Sequence, residues 1–302
     1  MLHIKDALAK KAVAFSGTRW PQTTANLAFR LFCRTGRAAG AREIAGMPDA
    51  VEPDMILTPG GQVAAWSLPA KNPVGKSALV IHGWNSRSRH MLPLARALNA
   101  AGIDVVMLDL PGHGASTGRA LHLGKAIDAV DAVWRNYGPF TSIIGHSLGG
   151  VVGLNAAIGA AICVPARRPE SLVMIASPNS MPALFRWFGR RIGLPQPAQD
   201  VFEYRVLRIL GRPLDMLVAA DQLQELDIPV LVAHDMDDTD VLYADALRMA
   251  RAGDHVRLHT TSGLGHRRIL KDAGLHAALR AHVLGNDASG GTGTDGEIRH
   301  CA

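Results

Sequence analysis

The chain reads as an α/β protein: a doubly wound, mostly parallel sheet with an N-terminal β-hairpin and an inserted helical cap. Three observations predict this. From Ser77 onward, short continuous apolar runs alternate with helical runs, the pattern of a parallel sheet covered by helices on both faces. The turn Gly145-His146-Ser147-Leu148-Gly149-Gly150 lies between one such apolar run and a helical stretch of small residues. About fifty residues then separate the apolar run ending near Ser177 from the one starting at Ile228, too many for a single crossover.

Taken in order, Pro21 to Gly36 reads as an amphipathic helix with Ala25, Leu27, Ala28, Leu31 and Phe32 as its apolar stripe. Met47 to Pro53 is polar and reads as a linker. Met55 to Thr58 and Gln62 to Trp66 flank Pro59-Gly60-Gly61 and form the hairpin. The strands of the parallel part are Ser77–Ile81, Asp104–Asp109, Thr141–Ile144, Ser171–Ala176, Pro229–His234 and His255–Thr260. The helices between and after them are His90–Ala101, Ala120–Tyr137, Leu148–Ala161, Val241–Ala252 and Leu270–Leu284. The long interval carries Met181, Leu184, Phe185, Trp187, Phe188, Phe202, Tyr204, Leu207 and Leu210 in helical patterns, interrupted by Gly193 and Pro195. A helical cap there would sit over the strand ends, where open α/β sheets bind ligands. The expected organisation is a basic helical extension and linker over 1–53, a core over 54–178 and 227–285, a cap over 179–226, and a disordered tail over 286–302.

Composition bounds the function. Of 302 residues, 48% are hydrophobic and 19% charged, enough for one large core. No apolar run reaches the ~18 residues of a membrane span, and the first residues do not read as a secretory signal. The three cysteines, Cys33, Cys163 and Cys301, are far apart. They form neither a metal cluster nor a disulfide framework, so a cytoplasmic location is expected. The net charge of +6 resides in the first 45 residues, where Lys5, Lys10, Lys11, Arg19, Arg30, Arg34, Arg37 and Arg42 face only Asp6 and Glu43. That arm suits weak contact with an anionic membrane surface, although a solvated helical extension packed on the main domain explains it more simply. No nucleic-acid motif accompanies it, so no nucleic acid is expected. In the cap over 179–226 six arginines are nearly balanced by five acids, which gives no reason to expect an anionic substrate.

The chemistry centres on Ser147. Strand, Gly-x-Ser-x-Gly, helix is the layout of a nucleophile elbow, whose glycines permit a turn too sharp for side chains. The three fixed positions alone recur by chance in roughly one chain in ten of this size, so context carries the weight. A serine hydroxyl needs a base within hydrogen-bond reach, and the base needs an orienting carboxylate. Of the later histidines, His234 precedes any suitable acid, His255 and His259 sit at the wrong end of a strand or inside it, and His276 and His282 lie on the last helix. Only His266 stands in the loop leaving the carboxyl end of the last strand. The acid must come from Asp235-Met236-Asp237-Asp238-Thr239-Asp240. Asp240 suits a helix N-cap, and one of the other three should reach His266.

These motifs, from about Met55 to Leu284, resemble the α/β-hydrolase superfamily. His82-Gly83-Trp84 matches its oxyanion loop, and Asp109 to Ser116 its Asp-x-Pro-Gly-His-Gly-x-Ser stretch. His234 to Val241 matches the acid loop, with Asp235 where a glycine is usual. The resemblance implies Ser147 as nucleophile, His266 as base and Asp238 as acid, with Asp235 in reserve. It also implies backbone N–H groups of Trp84 and Leu148 as oxyanion donors. His82, His146 and His113 are read as loop scaffold, elbow flank and turn residue. The expected activity is a serine hydrolase of a carboxylic ester or thioester of a small or lipid-like molecule, acting through an acyl-enzyme with no metal or organic cofactor. An acyltransferase with the same machinery is the alternative, and a non-catalytic binder on the same scaffold is disfavoured by the intact residue set.

Overall fold

The computed structural model describes residues 2–36 and 52–286. The linker over 47–51, Arg37, Arg42, Glu43, the tail over 287–302 and Cys301 lie outside the described residues.

The centre is an eight-stranded sheet: β1 (Asp54–Thr58), β2 (Gly61–Leu68), β3 (Ser77–Ile81), β4 (Asp104–Leu108), β5 (Ser142–His146), β6 (Ser171–Ile175), β7 (Val230–Asp235) and β8 (Val256–Thr261). Their spatial order is β1-β2-β4-β3-β5-β6-β7-β8. The β1–β2 hairpin joins antiparallel at β4, and every later pairing is parallel. β5, β6 and β7 are buried along their whole length, which is why they read as continuous apolar runs rather than alternating ones.

Helices cover both faces. On one face, α3 (Ser88–Asn99) and α11 (Ala273–Leu284) pack Met91, Leu94, Leu98, Leu275 and Leu279 against Val80, Met107, Ile144 and Val173. On the other, α4 (Leu123–Tyr137), α5 (Leu148–Ala157), α8 (Ala219–Leu223) and α9 (Tyr243–Met249) close over Leu79, Leu108, Ile143 and Val232. Short α10 (Gly265–Arg268) follows the β8 loop.

Several helix ends differ from the sequence expectation for local reasons. α4 begins at Leu123 rather than Ala120 because the His122 side chain caps it, accepting from Lys125 N–H. The final helix is broken, because Asp272 turns extended and caps α11 through Leu275 N–H. α9 begins at Tyr243 without a side-chain cap, so Asp240 is not its N-cap. The Asp238 carboxylate instead accepts from Asp240 N–H and Val241 N–H.

Between β6 and β7 stand α6 (Met181–Ile192) and α7 (Gln196–Leu210). Ser180 caps α6, and Gly193 ends it in the left-handed region at φ 79°, the conformation a helix C-terminus reserves for glycine. The N-terminal α1 (Leu2–Arg19) and α2 (Pro21–Cys33) pack against these two helices. A third apolar cluster results: Ala25, Ala28 and Phe29 of α2 meet Phe185, Phe202 and Val206. The buried face of α2 is thus Thr24, Ala25, Ala28, Phe29 and Cys33. Leu27 and Leu31, expected in the stripe, are more than half exposed. α2 has apolar residues around most of its circumference, so periodicity alone does not set its phase.

Candidate active site

The turn from β5 into α5 holds Ser147 at φ 54°, ψ −123°, a strained conformation for a residue with a Cβ. Two close approaches force glycine on either side. A Cβ on Gly145 would lie 2.2 Å from the backbone of Gly149 and Gly150, and one on Gly149 would lie 2.3 Å from the Ile81 carbonyl oxygen. Ser147 N–H donates to Ile175 O at 2.7 Å, so the turn is tied to the neighbouring strand. Leu148 begins α5, with Ser147 at its N-cap position. The helix dipole favours negative charge at that end.

At the carboxyl ends of β7 and β8 the structure brings Asp238 and His266 together. His266 Nδ1 donates to Asp238 Oδ2 at 2.7 Å, since the ionised carboxylate can only accept. Asp238 is buried. Burial pushes its pKa up, but bonds from His234, His266 and the Val241 amide outweigh this and hold it well below the usual carboxylate range. His266 Nε2 is thereby left free to face a partner. Among the described residues Ser147 Oγ makes no hydrogen bond, so the Ser147–His266 contact is not closed. Such contacts often tighten only with substrate bound.

Asp235, the reserve acid, has a different place. It is fully buried and does not contact the His266 ring. Its carboxylate accepts from Thr261 Oγ1 at 2.7 Å, Gly265 N–H at 2.9 Å, Asp237 N–H at 3.0 Å and Leu264 N–H at 3.1 Å. Burial alone would raise its pKa; these four donors together bring it below the ordinary value. Asp235 therefore pins the loop that carries His266. His146 holds the same loop from the other side, with Nε2 donating to His266 O at 2.8 Å and its ring 4.8 Å from that of His266.

The loop after β3 is fastened with equal care. His82 is fully buried; its Nδ1 donates to Gly83 O at 2.7 Å and its Nε2 accepts from Leu110 N–H at 3.0 Å. Burial lowers its pKa to about 4, so it stays neutral. His113 accepts from Asn85 N–H at 3.0 Å. Asp109, also buried, accepts from Trp66 Nε1, Ser88 N–H and Ala115 N–H. Trp84 is thus carried on a rigid loop. Its N–H and that of Leu148 have no acceptor among the described residues. Sequence reasoning did not find these positioning roles of Asp109, His113, His146 and Asp235. Asp109 and His113 stand inside the Asp109–Ser116 motif and His146 inside the elbow, but some of the partners that define their roles are distant in sequence, as Trp66 is from Asp109 and His266 from His146.

A cavity of about 720 Å³ opens on Ser147, Trp84 and Leu148. Most of its lining is apolar, and α2, α6 and α7 contribute much of it beside α4 and α5. Among the described residues no group of three His, Cys, Asp or Glu side chains could hold a metal ion. No helix among them is long and apolar enough to cross a membrane.

This fold and site define a class. The sequence model of the alpha/beta hydrolase family matches residues 78–279, so the chain belongs to that family and is a hydrolase. Among solved structures, Est1E from Butyrivibrio proteoclasticus with ferulic acid bound superposes with a TM-score of 0.61 at 22% identity, over 77% of this chain and 98% of that one. An esterase from Pyrococcus furiosus gives 0.59 at 16% identity, over 83% and 98%. The thioesterase domain from the curacin biosynthetic pathway gives 0.53 at 18%, over 78% and 100%. At these identities the likeness is one of fold. The sequence has no significant match among curated proteins.

Proposed function

We propose that the protein is a serine hydrolase that cleaves a carboxylic ester or thioester of a small or lipid-like molecule through an acyl-enzyme. Ser147 Oγ attacks the carbonyl carbon while His266 Nε2 takes its proton. Asp238 holds the imidazole in the Nδ1–H tautomer and stabilises the imidazolium that forms. The carbonyl oxygen, now an oxyanion, accepts from Trp84 N–H and Leu148 N–H. His266 then returns the proton to the leaving alcohol or thiol. In the second half, water attacks the acyl-Ser147 ester with His266 again as base, and the acid product leaves. The observation that carries this reading is the 2.7 Å His266–Asp238 bond at the sheet edge that also presents the strained Ser147. The esterase and thioesterase likenesses support the substrate class. A cytoplasmic setting belongs to the same reading, since Cys33 and Cys163 are both unpaired.

The test is a fluorophosphonate probe with p-nitrophenyl acetate as substrate. Wild type is expected to be labelled and to turn over the ester. Ser147→Ala should lose labelling and at least ~10⁴-fold in kcat/KM, with an unchanged circular-dichroism spectrum. Equal labelling of the variant would remove Ser147 from the role of nucleophile.

A further inference from the structure

We propose that the N-terminal helix α2, which precedes the span shared with the family, is part of the substrate site: it walls a cavity that receives the unbranched apolar chain of the acyl group. This rests on the reading of Ser147 above and gives it a substrate class.

The cavity, about 720 Å³, falls within the ~300–1,000 Å³ typical of small-molecule sites. Ser147, Trp84 and Leu148 line it together with Phe29, Leu31 and Phe32 of α2. α6 and α7 add Leu184, Phe185 and Val206 to the lining. The α2 wall is built in rather than laid on. The Phe32 ring lies 4.5 Å from that of Phe185 and 5.1 Å from that of Phe188, and Phe29 lies 5.8 Å from Phe202.

The end of α2 is also bonded to the loops of the candidate site. Leu121 N–H donates to Cys33 O at 2.8 Å, Thr35 N–H to Arg119 O at 3.1 Å, and Gly36 N–H to Asn85 Oδ1 at 3.1 Å. Asn85 directly follows Trp84, so the wall and the oxyanion loop are one mechanical unit.

The lining selects for chemistry. Its charged side chains Arg34 and Asp240 are exposed, and Asp245 is paired with Arg248 at 2.9 Å. No unpaired buried charge faces the space, and beyond the few polar groups such as His122 and Ser180 the lining is apolar, so an ionic or sugar-like group would lose more hydration there than it regains. The Cys33 thiol, which burial pushes up to about 12, stays neutral and acts as apolar surface. A polymethylene chain satisfies such a wall by displacing water alone. Each methylene buried beyond the carbonyl should raise kcat/KM by up to about fourfold.

The test is the chain-length profile of p-nitrophenyl esters from acetate to decanoate, at concentrations below micelle formation. The ratio of decanoate to acetate kcat/KM is expected to exceed tenfold in the wild type. Leu31→Trp, which adds bulk from α2 into the cavity, should lower that ratio at least tenfold. Leu27→Trp, one turn earlier on the same helix and outside the cavity lining, should keep the wild-type ratio. Parallel measurement on a monoacylglycerol in phosphatidylcholine vesicles separates a membrane-held ester from a dissolved one as the source of the chain; the Leu31→Trp loss is expected with whichever is hydrolysed.

Binding of dodecanoate to the Ser147→Ala protein, read by calorimetry, is independent of turnover. Tighter binding than butanoate, weakened by Leu31→Trp, supports the cavity's occupant even if Ser147 proves not to be the nucleophile. A flat ester profile with no preference of the Ser147→Ala protein for dodecanoate would overturn the proposal, while leaving a labelled, ester-cleaving Ser147 intact.

Discussion

Around Asp238 and His266 the chain is held by directional bonds between buried polar groups, whereas around the cavity it is held by apolar contact between helices. In the first region four donors converge on Asp235 and four on Asp238, counting the His234 Nε2 contact at 3.4 Å. In the second, five phenylalanines, Phe29, Phe32, Phe185, Phe188 and Phe202, share ring contacts of 4.5–5.8 Å. Hydrogen bonds fail within tenths of an ångström or a few tens of degrees. Apolar burial depends on area and volume, and tolerates changes of shape. The polar corner therefore suits reaction geometry, and the aromatic wall suits the choice of substrate.

Mutations can break this contrast. The largest effect is expected at the polar corner. Asp238→Asn removes the acceptor charge that sets the His266 tautomer and should lower turnover of p-nitrophenyl acetate by about 10³–10⁴-fold. Asp235→Asn loosens the loop without touching the ring, and should lower turnover by only about tenfold while costing roughly 2–3 kcal/mol of stability in urea unfolding. Steady-state kinetics of the two variants decides the assignment, and the reverse ranking would make Asp235 the acid. In the wall, Phe202→Ala empties the centre of the aromatic cluster and should cost about 3–5 kcal/mol. Its folded fraction should keep acetate turnover within tenfold, because Phe202 is fully buried and does not line the cavity. A loss as deep as that of Asp238→Asn would show that the two regions are not separable.

A smaller and graded effect concerns pH. Burial holds His82 and His122 near 4 and His146 near 3, against an ordinary 6.5. The unfolded chain takes up these protons first as pH falls, so it binds more protons than the fold and stability drops. The contribution is complete above about 6.5 and is lost progressively toward pH 4 to 3. Asp235 and Asp238, whose values are lowered from 3.8, extend the loss below that. The urea midpoint is expected to fall between pH 7.5 and pH 5, and His146→Gln should flatten that fall. A midpoint independent of pH over this range would remove the buried neutral histidines as a cause.

Much of the architecture is legible in the sequence because its causes are local. A strand buried on both faces must be apolar throughout, and a turn with no space for a Cβ must carry glycine, as at Gly145 and Gly149. The order of Ser147, the Asp235–Asp240 loop and His266 along the chain likewise marks which strand ends to compare. Which of the loop's carboxylates meets His266 is less legible, since Asp235 and Asp238 differ by only three positions. Their environments diverge because Asp235 still belongs to β7 and points into the β8 loop, while Asp238 lies beyond it.

What the sequence by itself determined is the set of elements, their alternation, and the residue types available at one sheet edge. Periodicity and turn sterics act over a few residues, and the sequence displays them directly. The tertiary structure alone decided the partners. His146 meets the His266 backbone across 120 positions, and Asp109 gathers Trp66, Ser88 and Ala115 around one loop. α2 turns Phe29 rather than Leu27 inward to close a cavity on Ser147. Those choices depend on which surfaces remain unpaired once the sheet has formed, a condition set by the whole fold rather than by any stretch of it.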